Sequence, residues 1–397
     1  MFGLKSKKFD MYDTNQQRRP TIIRPKKLSK KQKNNTKRIL SKNLVLDEFD
    51  NVLLLGGART LKDGCLIYPN INLGNSSYII TDIKREKEYM TKENLLNKGY
   101  SVSVLDLYQP EISISYDPLY YVSTEEDLHQ ISIAMADYMN WAAKSVSILD
   151  SSFECSFRRS VIFELVHYLY KKHYRFSKMA ELLDELIENE SRTLAYKDIF
   201  TKETLALVDG LFRNAIYVDI RKFFPSGMIS VINKSDPFNF ASFCDKKTSC
   251  FVNLSMVDPT HNLLQMIFLK QAAYSLQEKG SEHVTFILSD CPMLPLNWQE
   301  ILSLRAHNAS TIVSLQHLDG LDESTVEHLF MAIPSVALFG RHSDKDCYYF
   351  TKYLGLPKCS SSNFCDDIRR LPNSTCFIFK KGQLFIDDKA EPQFRQH

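Results

Sequence analysis

The stretch Val52-Leu53-Leu54-Leu55-Gly56-Gly57-Ala58-Arg59-Thr60-Leu61-Lys62-Asp63, running on through Gly64-Cys65-Leu66-Ile67-Tyr68-Pro69-Asn70, decides how the rest of the chain is read. Four apolar residues make a short buried strand, and the glycine pair breaks it into a turn. A phosphate loop needs a Gly-rich turn whose N–H groups face the phosphates, a Lys to reach them and a hydroxyl for magnesium. Gly56 and Lys62 have the separation that G-x-x-x-x-G-K-[ST] demands, but Leu61 replaces the second glycine and Asp63 replaces the hydroxyl. Taken alone, the stretch fits a plain strand-to-helix turn better than a phosphate loop.

Outward from this loop, β-branched and apolar runs recur at Tyr78–Thr81, Ser101–Leu105, Phe251–Leu254, Val284–Leu288, Thr311–Leu315 and Val336–Phe339. Such runs alternating with helical stretches predict an α/β fold with a mostly parallel, doubly wound sheet. Leu128, Ile131, Met135 and Met139 keep helical spacing, and Ser123 with Glu126 reads as a capping box for that helix. Between Phe153 and Phe212 the strand signal stops, and helices are expected at Arg158–Lys172, Ser177–Glu188 and Lys202–Phe212. The expected organisation is a basic disordered tail (1–43), a first part of the sheet domain (44–144), an all-helical insertion (145–235), a second part of the sheet domain (236–392) and a short tail (393–397).

The wider pattern resembles the TraG/TraD-type coupling proteins of conjugative type IV secretion. Their first motif, G-G-x-G-x-G-K-T running on to Pro-Asn, is similar to Gly56 through Asp63 followed by Pro69-Asn70. Their T-D-P-K-G-E is similar to Thr81-Asp82-Ile83-Lys84-Arg85-Glu86, and their Y-N-P-L to Tyr116-Asp117-Pro118-Leu119. Phe251 to Ser255, Asp258 to Leu264 and Gln271 resemble the strand and helix ahead of the second acidic motif, which would be Phe286-Ile287-Leu288-Ser289-Asp290. Arg305, the Gln of Ser314-Leu315-Gln316, the segment Gly340 to Gly355 and the closing run from Ile368 to Lys389 follow in the family's order.

This resemblance implies a RecA-like P-loop NTPase core, with ATP and Mg as cofactors and Gly56, Gly57, Thr60, Lys62, Asp63 and Lys84 as nucleotide contacts. Asp63, Ser289 and Asp290 would stand around the metal, and Asp290 and Gln316 would be the catalytic pair of an active enzyme. In an intact site the loop hydroxyl binds magnesium, the first acidic residue supports the metal shell and a Glu activates water. All three parts are altered here. Leu61 falls where a glycine backbone is expected, and Asp63 brings a carboxylate toward the phosphates, a repulsion of roughly 3 kcal/mol at about 5 Å in an effective dielectric of 20. Ser289 and Asp63 read as a swapped hydroxyl and carboxylate, able to keep a structural clamp while hydrolysis is lost or slowed.

Charge is distributed unevenly: residues 1–42 carry 14 Lys and Arg against Asp10 and Asp13, while the whole chain is only +3. A basic tail of low hydrophobicity seeks a polyanion, so Lys26, Lys27, Lys30, Lys31, Lys33, Lys37 and Arg38 are candidate nucleic-acid contacts, with anionic lipid as the alternative. No run reaches the ~18 apolar residues of a transmembrane helix, which predicts a cytoplasmic protein, free or peripheral at the inner face of the membrane. Nine cysteines without a C-x-x-C pair predict reduced thiols and no zinc site.

Two functions follow from the resemblance. One is a coupling-protein-like component that recruits DNA or a relaxase–DNA complex, docking on secretion components or on an active membrane-anchored coupling protein. The other is an active hexameric ATP-driven motor with a variant Walker site; a homo- or hetero-hexamer serves either. A decayed product without activity is the bland third reading.

Overall fold

The structure, a computed structural model, describes residues 22–34, 36–144, 152–188, 198–204, 213–276, 282–289, 302, 304–355, 364–369 and 371–393. Its strands are β1 (Ile22–Ile23), β2 (Arg38–Ile39), β3 (Val45–Leu46), β4 (Val52–Leu55), β5 (Ser77–Ile83), β6 (Ser101–Leu105), β7 (Thr248–Leu254), β8 (Val284–Ser289), β9 (Ala309–Leu315), β10 (Ser335–Leu338), β11 (Thr375–Lys380) and β12 (Gln383–Asp388). The first helices are α1 (Lys30–Asn34), α2 (Tyr68–Leu73), α3 (Glu86–Asn97), α4 (Glu125–Lys144), α5 (Ser152–Lys171) and α6 (Lys178–Glu188).

Ten strands form one sheet in the order β1-β12-β11-β10-β4-β9-β8-β5-β7-β6. From β10 through β6 every pairing is parallel, whereas β11 runs antiparallel to β10 and β12. Each of the seven expected strands is present, and all belong to the parallel block. They read as apolar runs because both faces are covered: Leu53 and Leu55 point into a core shared with α4 and α5, and Val52 and Leu54 into one shared with α2. Among the described residues no strand interrupts 106–247, where α4, α5, α6 and shorter helices such as Arg213–Arg221 and Ser226–Ile232 lie. Residues 205–212 of the third expected helix lie outside the described residues.

Two local expectations need correction. The cap of α4 is formed one residue later than Ser123 and Glu126: Asp127 N–H donates to Thr124 Oγ1, and the Asp127 carboxylate accepts the N–H groups of Ser123 and Thr124. Asp is short enough to close this box from the N3 position, a choice that spacing alone did not separate from Glu126. Nor is the basic tail disordered from residue 22 onward. Ile22 and Ile23 pair in parallel with Leu384 and Phe385 at the sheet edge, and Leu40 is fully buried.

Candidate nucleotide-type site at the ends of the parallel strands

Parallel strands place their C-terminal ends along one edge, where open α/β sheets build ligand sites. Here β10, β4, β9, β8 and β5 are successive neighbours. The loop after β4 therefore faces Gly340–His342 after β10, Gln316 after β9, Ser289 at the end of β8 and Lys84 after β5. All the expected nucleotide and metal contacts among the described residues follow strand ends on this edge; Asp290 lies outside the described residues.

The loop needs its glycines for space. A Cβ on Gly56 would fall 2.8 Å from Phe339 Cβ, and one on Gly57 would fall 2.8 Å from the Arg341 carbonyl oxygen. Their N–H groups are tied to neighbouring strand ends, Gly56 to Leu315 O and Gly57 to Gly340 O. Arg59 and Leu61 then adopt left-handed conformations, φ 62° and 64°. Leu61 stands where the resemblance has glycine and takes the conformation glycine favours, at a cost of about 1–2 kcal/mol. The same thing happens after β5: Arg85, in the glycine position of the second motif, has φ 59°, as has Lys84.

Such strain persists only where the surroundings over-determine it. Lys389, buried at the end of β12, donates to Thr60 O at 2.8 Å, Arg341 donates to Ala58 O at 3.0 Å, and Thr60 Oγ1 donates to Gly57 O at 2.8 Å. Carbonyls on the back of the loop are thus held by two cations and a hydroxyl. Lys62 is buried, and Asp63–Ile67 form a π-helix turn that leads directly into α2.

Asp63 is ion-paired, Oδ2 3.7 Å from Lys87 Nζ, and the Lys87 side chain is only 4% exposed. At an effective dielectric of 20 the gross attraction is about 4 kcal/mol. Lys87 comes from the first turn of α3, which Asp82 caps by accepting the N–H groups of Lys87 (3.0 Å) and Glu88 (2.8 Å). Burial raises the Asp82 carboxyl above its ordinary range, opposed by the Lys87 charge and these two N–H bonds. Ser289 is fully buried, and its main chain is bound by Thr81: Ser289 N–H donates to Thr81 Oγ1, and that hydroxyl lies 3.2 Å from Ser289 O.

The described residues of the site do not fit a magnesium ion. The loop position that would offer a neutral hydroxyl carries a carboxylate whose charge is already balanced by a buried ammonium, and the carboxylate expected at the end of β8 is a serine hydroxyl. No group of three His, Cys, Asp or Glu side chains among the described residues is placed to hold a metal. The loop keeps its left-handed turn and its Lys62, while the Gly56 and Gly57 N–H groups are bonded to strand-end carbonyls.

Gln316 is exposed at the end of β9, and the residues beside it were missed by sequence reasoning. Asp346, 1% exposed, accepts the N–H groups of Leu318 (2.8 Å) and Ser343 (2.9 Å) and lies 3.1 Å from His317 Nδ1 and 3.7 Å from His342 Nδ1. Burial alone would raise its pKa, but these hydrogen bonds hold it well below the usual carboxylate range. Burial lowers the pKa of His342, whose Nε2 accepts Gly340 N–H. The one legible signal was the Ser343-to-Asp346 capping box. Lys87 had no signal beyond its nearness to the second motif.

Of the tail cations, Lys26, Lys27, Lys30, Lys31 and Lys37 are exposed, and Lys37 pairs with Glu48 at 3.2 Å. The side chains of Lys33 and Arg305 lie outside the described residues. Arg38 is corrected: it is 3% exposed and donates to Asp50 O, to Thr285 Oγ1 at 3.2 Å and to Ser310 Oγ at 2.6 Å. Desolvation brings its pKa down to about 10. A guanidinium used this way is a structural anchor with no face left for a phosphate.

The fold is similar to that of the plasmid coupling protein TrwB in complex with a GTP analogue: TM-score 0.66, 13% identity, 91% of this chain and 92% of that one. TrwB in complex with ADP and Mg2+ matches with TM-score 0.65 at 13% identity, over 91% and 90% of the two chains. VirB4 of Thermoanaerobacter pseudethanolicus matches with TM-score 0.58 at 13% identity, over 90% and 96%. No curated protein matches the sequence. The family model described as type IV secretory system conjugative DNA transfer matches residues 8–222, more than half of the chain. With the motifs in order and the strand ends converging as described, this chain belongs to the conjugative DNA transfer family of type IV secretory systems, the TraG/TraD-type coupling proteins.

Proposed function

We propose that this chain is a coupling-protein-like component of a conjugative type IV secretion system that recruits DNA or a relaxase–DNA complex to the channel, with ATP hydrolysis lost or impaired. The observation that carries the reading is the Asp63–Lys87 pair, which puts a neutralised carboxylate where hydrolysis needs a metal-binding hydroxyl. Ser289 supports it from the opposite strand. Exposed Lys26, Lys27, Lys30 and Lys31 supply the polyanion contact. No helix among the described residues is long and apolar enough to cross a membrane.

Steady-state ATPase, with and without single-stranded DNA, tests this against a Lys62→Ala control. The expected result is no turnover above the control together with salt-sensitive DNA binding. Turnover that Lys62→Ala abolishes would reject the recruiting role in favour of a hexameric ATP-driven motor. One observation favours that second reading: Leu61 and Arg59 keep the left-handed turn of a phosphate loop despite its cost.

A further inference from the structure

Relatives of this fold are described with nucleotide and Mg2+, yet the residues here do not fit a divalent ion, and the disagreement has a specific structural cause: Lys87. Its ammonium is a permanent part of the polypeptide, nearly excluded from solvent, and stands 3.7 Å from Asp63 Oδ2. Its backbone is fixed from two directions. The Lys87 N–H donates to Asp82 Oδ1 at the end of β5, and its carbonyl accepts Thr91 Oγ1 at 2.7 Å. The turn that delivers it, Lys84-Arg85, is held in two successive left-handed conformations. Lys87 is therefore positioned by the second motif as firmly as Asp63 is positioned by the first.

Charge counting gives the consequence. A neutral hydroxyl with a divalent cation adds two positive charges beside a phosphate, whereas Asp63 with Lys87 adds none. A magnesium ion approaching Asp63 meets a carboxylate already neutralised and an ammonium that repels it at short range. Expelling that ammonium would break its pair with Asp63 and move a nearly buried charge that also faces the Asp82 carboxyl. We propose that Lys87 replaces the divalent metal of this site, so that the loop engages a phosphate group of a nucleotide without any metal ion, through its backbone turn and Lys62.

The inference goes beyond the recruiting role and stands or falls separately from it. The test is titration of the full chain with a fluorescent ATP analogue in magnesium and in EDTA. For the wild type the two affinities are expected to agree within about twofold, less than ~0.5 kcal/mol. Lys87→Gln exposes the Asp63 charge: affinity in EDTA falls, and magnesium restores it by about tenfold or more. Asp63→Asn, which keeps the ammonium, serves as the second variant in case the first does not fold; it is expected to bind several-fold tighter in both buffers and to stay indifferent to magnesium. Magnesium tightening of the wild type by about tenfold would overturn the proposal, as would no binding by the wild type in either buffer or magnesium dependence in Asp63→Asn. None of these outcomes touches DNA recruitment, which is read by DNA binding.

Discussion

Replacing Leu61 by alanine and by glycine gives a stability order opposite to that of an ordinary helical site. Leu61 is half-buried against the core under α2, so removing its side chain costs about 1 kcal/mol, half the value of a fully buried leucine. Alanine keeps the Cβ, and with it the cost of φ 64°, about 1–2 kcal/mol. Glycine loses the same packing and removes that cost, but it gives the unfolded chain ~0.4–1 kcal/mol of extra freedom. The sum places Leu61→Gly close to the wild type and above Leu61→Ala by about 1 kcal/mol. In a thermal melt of a protein of this size the gap is about 1 °C. Leu96, exposed on α3, provides the control: there glycine should fall below alanine by about 1 kcal/mol. If Leu61→Ala melts at or above Leu61→Gly while the control behaves, the loop does not hold its left-handed turn, and the phosphate-loop reading of residues 56–62 fails with it.

Exchanging Lys26, Lys27, Lys30 and Lys31 for Gln should reduce the salt dependence of single-stranded DNA binding, by about 0.7 in log–log slope for each phosphate no longer neutralised, measured by anisotropy across a salt series. Arg38→Gln should leave that slope unchanged and instead lower stability by about 2–3 kcal/mol, because it strips hydrogen bonds from a buried guanidinium. Stability should also depend on pH. His342 has a lowered pKa in the folded state, so the unfolded chain takes up a proton that the folded chain refuses; the contribution is full above about pH 6.5 and declines as pH falls. His342→Asn, which keeps an acceptor for Gly340 N–H, should flatten that part of a melting-temperature profile. The depressed carboxyl of Asp346 contributes fully above about pH 4 and loses its contribution on further acidification, and Asp346→Asn should remove this second decline.

The parallel block was legible because doubly covered strands are rich in apolar residues, and Val52–Leu55 was located to the residue; Ser101–Leu105 was too, as an edge strand that alternates serine and valine. Strand ends were blurred where a polar residue continues the ladder, as at Asp82, with Ile83 after it, on β5 and Ser289 on β8. The tail misled because composition registers charge and not pairing: Ile22 and Ile23 meet β12 at the far end of the chain, and Arg38 reaches hydroxyls on β8 and β9. At the site, spacing located the loop, Lys84 and Gln316, since motif order preserves which strand end each follows. It did not find Lys87, His317, Asp346 or Arg341, whose roles arise from contacts between separate strand ends. Leu61 and Arg85 show a further limit. Their identities argue against left-handed backbone, and only tertiary bracing lets them adopt it.

The bond from Lys389 to Thr60 joins residues 329 positions apart. During synthesis the loop after β4 is thus complete in sequence long before the side chain that braces it exists. Strained turns formed early have nothing to hold them, and contacts this remote close late in folding. A nascent chain lacking β12 would carry every residue of the loop without its lasting shape. The braced shape of the loop therefore becomes available only once β12 and Lys389 have been made.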